Sequence, residues 1–221
     1  MATKKVTSLE VAKLAGVSQS AVSRVFTPGA SASKKTNEKV LSAAAELGYR
    51  PNILARSLIT GKSRIIGLVV SHLDNYFYPE ALELLSNALQ KKGYHVLVFM
   101  ASKTSGNIDD VVDEILDYQV DAIILASIAM SSNLANRCVA AGVPVMLFNR
   151  SQDDDRFSTV TSDNFLGGQK VARFLIAGGH KRIGYIAGWE GASTQHDREA
   201  GFTEELTQHG RSLYAREVGN F

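Results

Sequence analysis

From Ile65 onward the chain alternates short apolar runs with amphipathic stretches, and this alternation leaves few folds open. The runs are Ile65–Val70, Val96–Met100, Ala122–Ala126, Val145–Phe148, a short one near Thr159–Thr161, and Ile183–Ala187. Helical patterns fall at Pro79–Lys92, Ile108–Tyr118, Leu134–Ala141, Asn164–Ala177 and His196–His209. Near-continuous Ile, Val and Leu imply strands buried on both faces. Their regular alternation with helices predicts a doubly wound parallel sheet.

The first 60 residues carry helical signals instead. Thr7-Ser8-Leu9-Glu10 fits a capping box, in which the Thr7 and Glu10 side chains satisfy each other's backbone donors. Val11, Leu14 and Ala15 then form one apolar stripe, and Gly16 stands where a left-handed cap ends a helix. Ser18 caps a second helix running to Phe26, with Ala21, Val22 and Val25 inward and Thr27-Pro28-Gly29 as its stop. A third helix runs from about Ser33 or Thr36 to Leu47, with Val40, Leu41, Ala44 and Leu47 inward and Gly48 at its end. Two short helices joined through Ala15-Gly16-Val17 read as a helix-turn-helix. After the break at Arg50-Pro51, Asn52 can cap a short helix, Ile53–Ile59, and a linker, Thr60–Ser63, follows. So short a helix is marginal alone in water and needs a partner surface. The chain therefore divides into a helical head (1–51), a hinge helix and linker (52–64) and an α/β body (65–221) with a crossover near residue 162.

Charge follows the same division. Residues 1–64 hold 11 Lys and Arg against 3 Asp and Glu; the rest hold 13 against 19. A basic head on an acidic body suggests a polyanion partner, although a solvated basic face has the same composition. No apolar run approaches the roughly 20 residues that span a bilayer. The N-terminus lacks an apolar secretory segment, and Cys138, the sole cysteine, can form neither an internal disulfide nor a metal site alone. The expectation is a cytoplasmic protein with no membrane partner. No phosphate-binding loop, nucleophile elbow or zinc spacing occurs, so no enzyme, cofactor or metal is expected. Asp153-Asp154-Asp155 reads as a solvated loop and His180 as a surface residue at a helix end.

Val6–Val25 resembles the helix-turn-helix head of the LacI/GalR family of bacterial transcription regulators. The resemblance continues through Lys39–Asn52, Ala55–Leu58, Ile65–Leu68, Gly178–Gly188 and Arg198–Phe202, and covers essentially the whole chain. The residues support such a role. A recognition helix enters the major groove by its N-terminal end. Gln19 and Ser20, on the first turn, can reach base edges, and Arg24, one turn beyond Ser20, can read guanine or bind phosphate. Thr7, Ser18, Ser23 and Ser33 can donate to phosphates, in addition to any capping role. A purely surface role for Gln19 and Arg24 stays open.

The resemblance further implies that the helix at Ile53–Ile59 orders on DNA in the minor groove. Leu58 would wedge a base step, Ala55 would pack on the groove floor, and Asn52 would start the helix near a phosphate. Packing of Leu58 against the body is the alternative. The body would be a periplasmic-binding-protein-like effector module with its ligand at the C-terminal strand ends, between two halves. Carried over residue by residue, the effector site comprises Asn75, Tyr76, Phe77, Asn149, Arg150, Asp163, Trp189 and Arg198. Trp189 also suits a core or interface, and Arg198 a structural ion pair; Tyr76, Phe77 and Tyr78 read as cleft residues.

Two departures from the family pattern stand out. Ala21 occupies a position where many relatives carry Thr. The relatives also continue beyond Phe221, so the second half is expected to be incomplete, with one strand and two helices after the crossover, and the chain to be a fragment or truncated product. The leading expectation is a repressor that binds a palindromic DNA operator as a homodimer and answers to a small-molecule effector, a sugar or related metabolite. The alternatives are a truncated fragment that does not regulate and a sugar-binding module without regulatory activity.

Overall fold

A computed structural model of the chain describes residues 6–27, 29–51, 61–71, 73, 75–101 and 108–219. It divides into two units, Met1–Gly61 and Lys62–Phe221. The expected hinge residues Asn52, Ala55 and Leu58 lie outside the described residues.

The first unit holds α1 (Ser8–Ala15), α2 (Gln19–Val25) and α3 (Lys34–Leu47). Each begins at a hydroxyl cap: Thr7, Ser18 and Ser33 accept from the backbone N–H three residues on. The Thr7–Glu10 capping box is complete. Gly16 and Gly48 end α1 and α3 at φ 64° and 65°, a left-handed conformation that glycine adopts without a Cβ penalty. Val11, Ala12, Ala15, Val22, Val40, Ala43 and Ala44 form the core, and Phe26 meets Tyr49 edge-on beside it. Two expected core residues face outward instead: Leu14 is 47% and Leu41 52% exposed. The inward stripes run through Ala12 and Ala43, whose small side chains let α1 and α3 approach. At 100° per residue the two leucines fall on the stripe margins.

The second unit begins with an anchored segment. The Asp121 carboxylate accepts from the Ser63 N–H at 2.8 Å, the Ser63 hydroxyl at 3.0 Å and the Arg64 N–H at 3.2 Å. These bonds bury Ser63 and hold Arg64 at φ 57°. Strands β1 (Ile65–Val70), β2 (His95–Met100), β3 (Ala122–Ala126), β4 (Val145–Phe148) and β5 (Ser158–Val160) form one parallel sheet in the order β2-β1-β3-β4-β5. Ile66 pairs with Val96 on one side and Ala122 on the other. The central strands β1 and β3 are buried almost throughout, as their unbroken apolar runs require, whereas β2 lies at an edge and is half exposed.

Helices α4 (Phe77–Lys91), α5 (Ile108–Asp117) and α6 (Ser132–Ala140) connect these strands. Val69, Ile115, Ile123, Leu125, Leu134 and Leu147 form the core on one side of the sheet; Leu68, Val70, Tyr78 and Ile124 form a second cluster. Pro79 sits within the first turn of α4, where its missing N–H has no helical partner to lose.

After the crossover come α7 (Asn164–Ala177), β6 (Gly184–Ala187), α8 (Ser193–Gln208) and β7 (Ala215–Val218). The expectation of one strand is corrected here: β7 pairs parallel with β6, Tyr185 opposite Arg216. Its sequence, Ala-Arg-Glu-Val, is exposed at all four positions and has no apolar run to reveal it. Helices α7 and α8 meet at two glycines. A Cβ on Gly168 would lie 2.1 Å from the Arg198 carbonyl oxygen, and one on Gly201 2.0 Å from that of Phe165. Only hydrogen fits at either position.

Candidate functional site

In the first unit, the side chains expected to read DNA stand on the start of α2. The Ser18 hydroxyl accepts from the Ala21 N–H at 3.2 Å and lies 3.0 Å from the Ser20 hydroxyl. Gln19 donates through Nε2 to the Ser8 hydroxyl at 2.9 Å, so its amide is held against the start of α1. The Arg24 Nε reaches back to the Ser20 carbonyl at 3.4 Å. Ser33 is engaged with Thr36, through the Thr36 N–H at 3.2 Å and its hydroxyl at 2.9 Å. Thr7, Ser18, Gln19, Ser20, Ser23, Arg24 and Ser33 are all exposed, as are the cationic Lys13, Lys34, Lys35, Lys39 and Arg50. The caps therefore leave a helix start whose polar side chains face solvent within a positively charged unit.

In the second unit the expected effector residues gather unequally around the C-terminal ends of β1, β4 and β6. Asn149, directly after β4, takes φ 57°, a conformation asparagine tolerates better than most residues. Its Nδ2 donates to the Tyr78 hydroxyl at 3.0 Å. Arg150 is 5% exposed. Its guanidinium donates through Nη1 to the Gly191 carbonyl at 2.9 Å and lies over the Trp189 ring, 4.9 Å from the centroid. Burial pushes its pKa below the usual guanidinium value, with Tyr78 acting in the opposite direction. The next residue joins the same loop, since the Ser151 N–H donates to the Ser193 hydroxyl at 2.9 Å. Trp189 is 60% exposed, so its ring is not a core residue.

Other expected residues are placed differently. Tyr76 is 93% exposed; Phe77 stacks on Phe148 with ring centroids 5.9 Å apart. Tyr78, expected beside them in the cleft, is corrected to a core position: its ring is buried among Leu68, Val70 and Ile124, and only its hydroxyl reaches Asn149. The Asn75 carboxamide oxygen accepts from the Phe77 N–H at 3.0 Å and so sets the start of α4. Asp163 caps α7, accepting from the Leu166 N–H at 2.9 Å. Arg198 donates through Nε to Asn164 Oδ1 at 2.8 Å, a bond to a neutral partner and not an ion pair.

Sequence reasoning missed the groups that hold the Trp189 loop. Gln195 is 8% exposed; its Oε1 accepts from the Gly188 N–H at 3.1 Å, and its Nε2 donates to the Tyr185 hydroxyl at 3.3 Å and to Glu199 at 3.1 Å. Arg216, from the unforeseen β7, donates to Glu190 at 2.9 Å and to Glu199 at 3.0 Å. Gly191 is a close approach, because a Cβ there would lie 2.4 Å from the indole. No motif announces these contacts, which join ordinary polar residues between 4 and 26 positions apart.

A cavity of about 260 Å³ lies elsewhere, lined by Cys138, Val143, Val145, Arg156 and Phe157 at the N-terminal end of β4. It is not the strand end that carries Asn149 and Arg150. Among the described residues no His, Cys, Asp and Glu side chains gather as a metal site, and no helix is long and apolar enough to cross a membrane.

Comparison with known proteins gives matches for both units. The family of bacterial regulatory proteins of the lacI type matches residues 7–52, and the family of periplasmic binding proteins and the sugar binding domain of the LacI family matches residues 63–220. The maltose regulon regulatory protein of Escherichia coli K12 is 34% identical over 213 residues, covering 96% of this chain and 62% of its own length. A sucrose operon repressor of Klebsiella pneumoniae is 32% identical over 216 residues, covering 96% and 64%. The chain thus spans under two thirds of these curated relatives. Among solved structures, the lac repressor dimer bound to operator and an anti-inducer superposes with a TM-score of 0.84 at 29% identity, covering 98% of this chain and 66% of that one. A complex of the transcriptional regulator CelR with cellobiose gives 0.64 at 30% identity, covering 98% and 66%.

Proposed function

Because the chain belongs to the LacI family of bacterial regulatory proteins, we propose that it is an effector-responsive transcriptional repressor that reads a palindromic DNA operator as a homodimer. The observation that carries this reading is the solvent-facing start of α2, where Ser18 caps the helix and Gln19, Ser20 and Arg24 project from it. Gln19 and Ser20 read base edges, and Arg24 contacts guanine or phosphate. Thr7, Ser18, Ser23 and Ser33 bind phosphates through their exposed hydroxyls. Asn52, Ala55 and Leu58 belong to the hinge that enters the minor groove.

The effector, a sugar or related metabolite, binds without turnover between the strand ends of the second unit, against Asn149, Arg150 and Trp189. Asn75, Tyr76, Phe77, Asp163 and Arg198 complete its surroundings. The protein works in the cytoplasm, where DNA and metabolite meet, and needs no cofactor. Binding on two half-sites raises affinity through effective concentration.

Selection from a random duplex pool at fixed salt tests the reading, because phosphate contacts make affinity depend on ionic strength. The expected outcome is an enriched two-fold-symmetric site. Gln19→Ala should relax preference at one position per half-site at a cost of roughly 1–3 kcal/mol, whereas replacing a phosphate-binding cation should weaken all sequences alike. An enriched half-site alone removes the dimer from the proposal. Weak, sequence-independent binding removes the operator.

A further inference from the structure

We infer that the effector bears an anionic group, a carboxylate or a phosphate ester, and that Arg150 is the residue that receives it. The inference rests on the cleft reading above and narrows its ligand class. Arg150 is the most deeply buried of the proposed effector residues, and its guanidinium meets neutral groups, the Gly191 carbonyl and the Trp189 ring. No carboxylate among the described residues lies within ion-pair distance of it. The other buried charge among the described residues of this unit, Glu205, is met by Arg173 at 2.7 Å.

A guanidinium withdrawn from water without a counter-charge is costly, and one neutral carbonyl returns only part of its lost hydration. Its planar fork matches the two oxygens of a carboxylate or phosphate. The position is also the right one. Arg150 follows the C-terminal end of β4, beside the Asn149–Tyr78 hydrogen bond and under an indole that offers an apolar face to the rest of a ligand. An arriving anion competes with the Gly191 carbonyl for the fork. Anion binding is therefore coupled to the loop that carries Trp189, which the Ser151–Ser193 and Gly188–Gln195 bonds hold at its two ends.

Trp189 is the sole tryptophan, so its emission reports on this contact without a label. The experiment titrates the 221-residue chain with inorganic phosphate, acetate, glucose 6-phosphate, glucuronate and glucose, at ionic strength matched with chloride. Inorganic phosphate or acetate should shift the emission saturably at millimolar concentration. Glucose 6-phosphate against glucuronate then tells a phosphate ester from a carboxylate. Arg150→Lys should weaken the response about tenfold and Arg150→Met should abolish it, since a hydrogen bond to a charged group carries that much. Circular dichroism checks that both variants remain folded; if Arg150→Met unfolds, the Arg150→Lys titration decides alone. A response to glucose with none to the four anions overturns the inference and leaves the effector reading standing. Silence to all five overturns the inference and removes support from the cleft reading as well. An anion response that survives unchanged in Arg150→Lys overturns the assignment to Arg150.

Discussion

The two units place their functional side chains by different means. In the head, Ser18, Gln19, Ser20 and Arg24 lie within seven residues, and the hydroxyl that starts α2 also fixes which turn they occupy. In the body, Tyr78 meets Asn149 across 71 positions of sequence, and Arg150 meets Gly191 across 41. The head is thus a local device on a small core of Val and Ala, and the cleft is a product of tertiary packing. Damage to a cap should stay near the cap, while damage to packing should reach the cleft from a distance.

The strongest test of that contrast is Gly201→Val. Its side chain would collide with the Phe165 backbone, so α7 and α8 must separate. The expected loss is about 3 kcal/mol or more, at the upper end of overpacking costs. Trp189 emission should report it, because α8 carries Ser193 and Gln195, which hold the Trp189 loop, and the DNA contacts proposed for α2 should persist. A variant that melts like the parent would break the comparison.

Next in size is Val22→Ala, which empties the centre of the head core. A loss of about 2 kcal/mol is expected. Hydrogen exchange should show it in α1, α2 and α3 and leave β1 to β5 as protected as before. Ser18→Ala should cost about 1 kcal/mol through the lost cap. It should also weaken DNA binding, measured by fluorescence anisotropy on a labelled duplex, by more than the same change at Ser33, because only Ser18 starts the helix proposed to read DNA.

The smallest effect is an acid one in the body. Hydrogen bonds from Arg156 hold the Asp154 pKa down at about 2, and Arg173 lowers that of Glu205 in the same way. A depressed carboxylate stabilises the fold above its unfolded pKa, near 4, and loses that contribution as pH falls through its folded value. Melting temperature should therefore decline between about pH 4 and 2. Asp154→Asn should flatten that part of the profile without altering the head.

What the sequence disclosed follows the same line. The capping box at Thr7, the glycine stops at Gly16 and Gly48, and the apolar runs of β1, β3 and β4 are short-range signals, and the structure has each in place. Leu14 and Leu41 misled because apolar character alone does not say which edge of a stripe a neighbouring helix will cover. Strand β7 was invisible because its four residues are all exposed and none announces a core. Gln195 and Arg216 went unnoticed for a related reason: an ordinary polar residue becomes part of a site only through partners that folding brings to it.

The glycine contact between α7 and α8 has a consequence for how this protein can diverge. Most packed pairs evolve by compensation, one side chain growing as its neighbour shrinks. Gly168 and Gly201 face backbone, and neither has a smaller residue to retreat to. A change at one cannot be answered at the other, so this crossing is a fixed point around which the remaining surfaces of the two helices are free to drift.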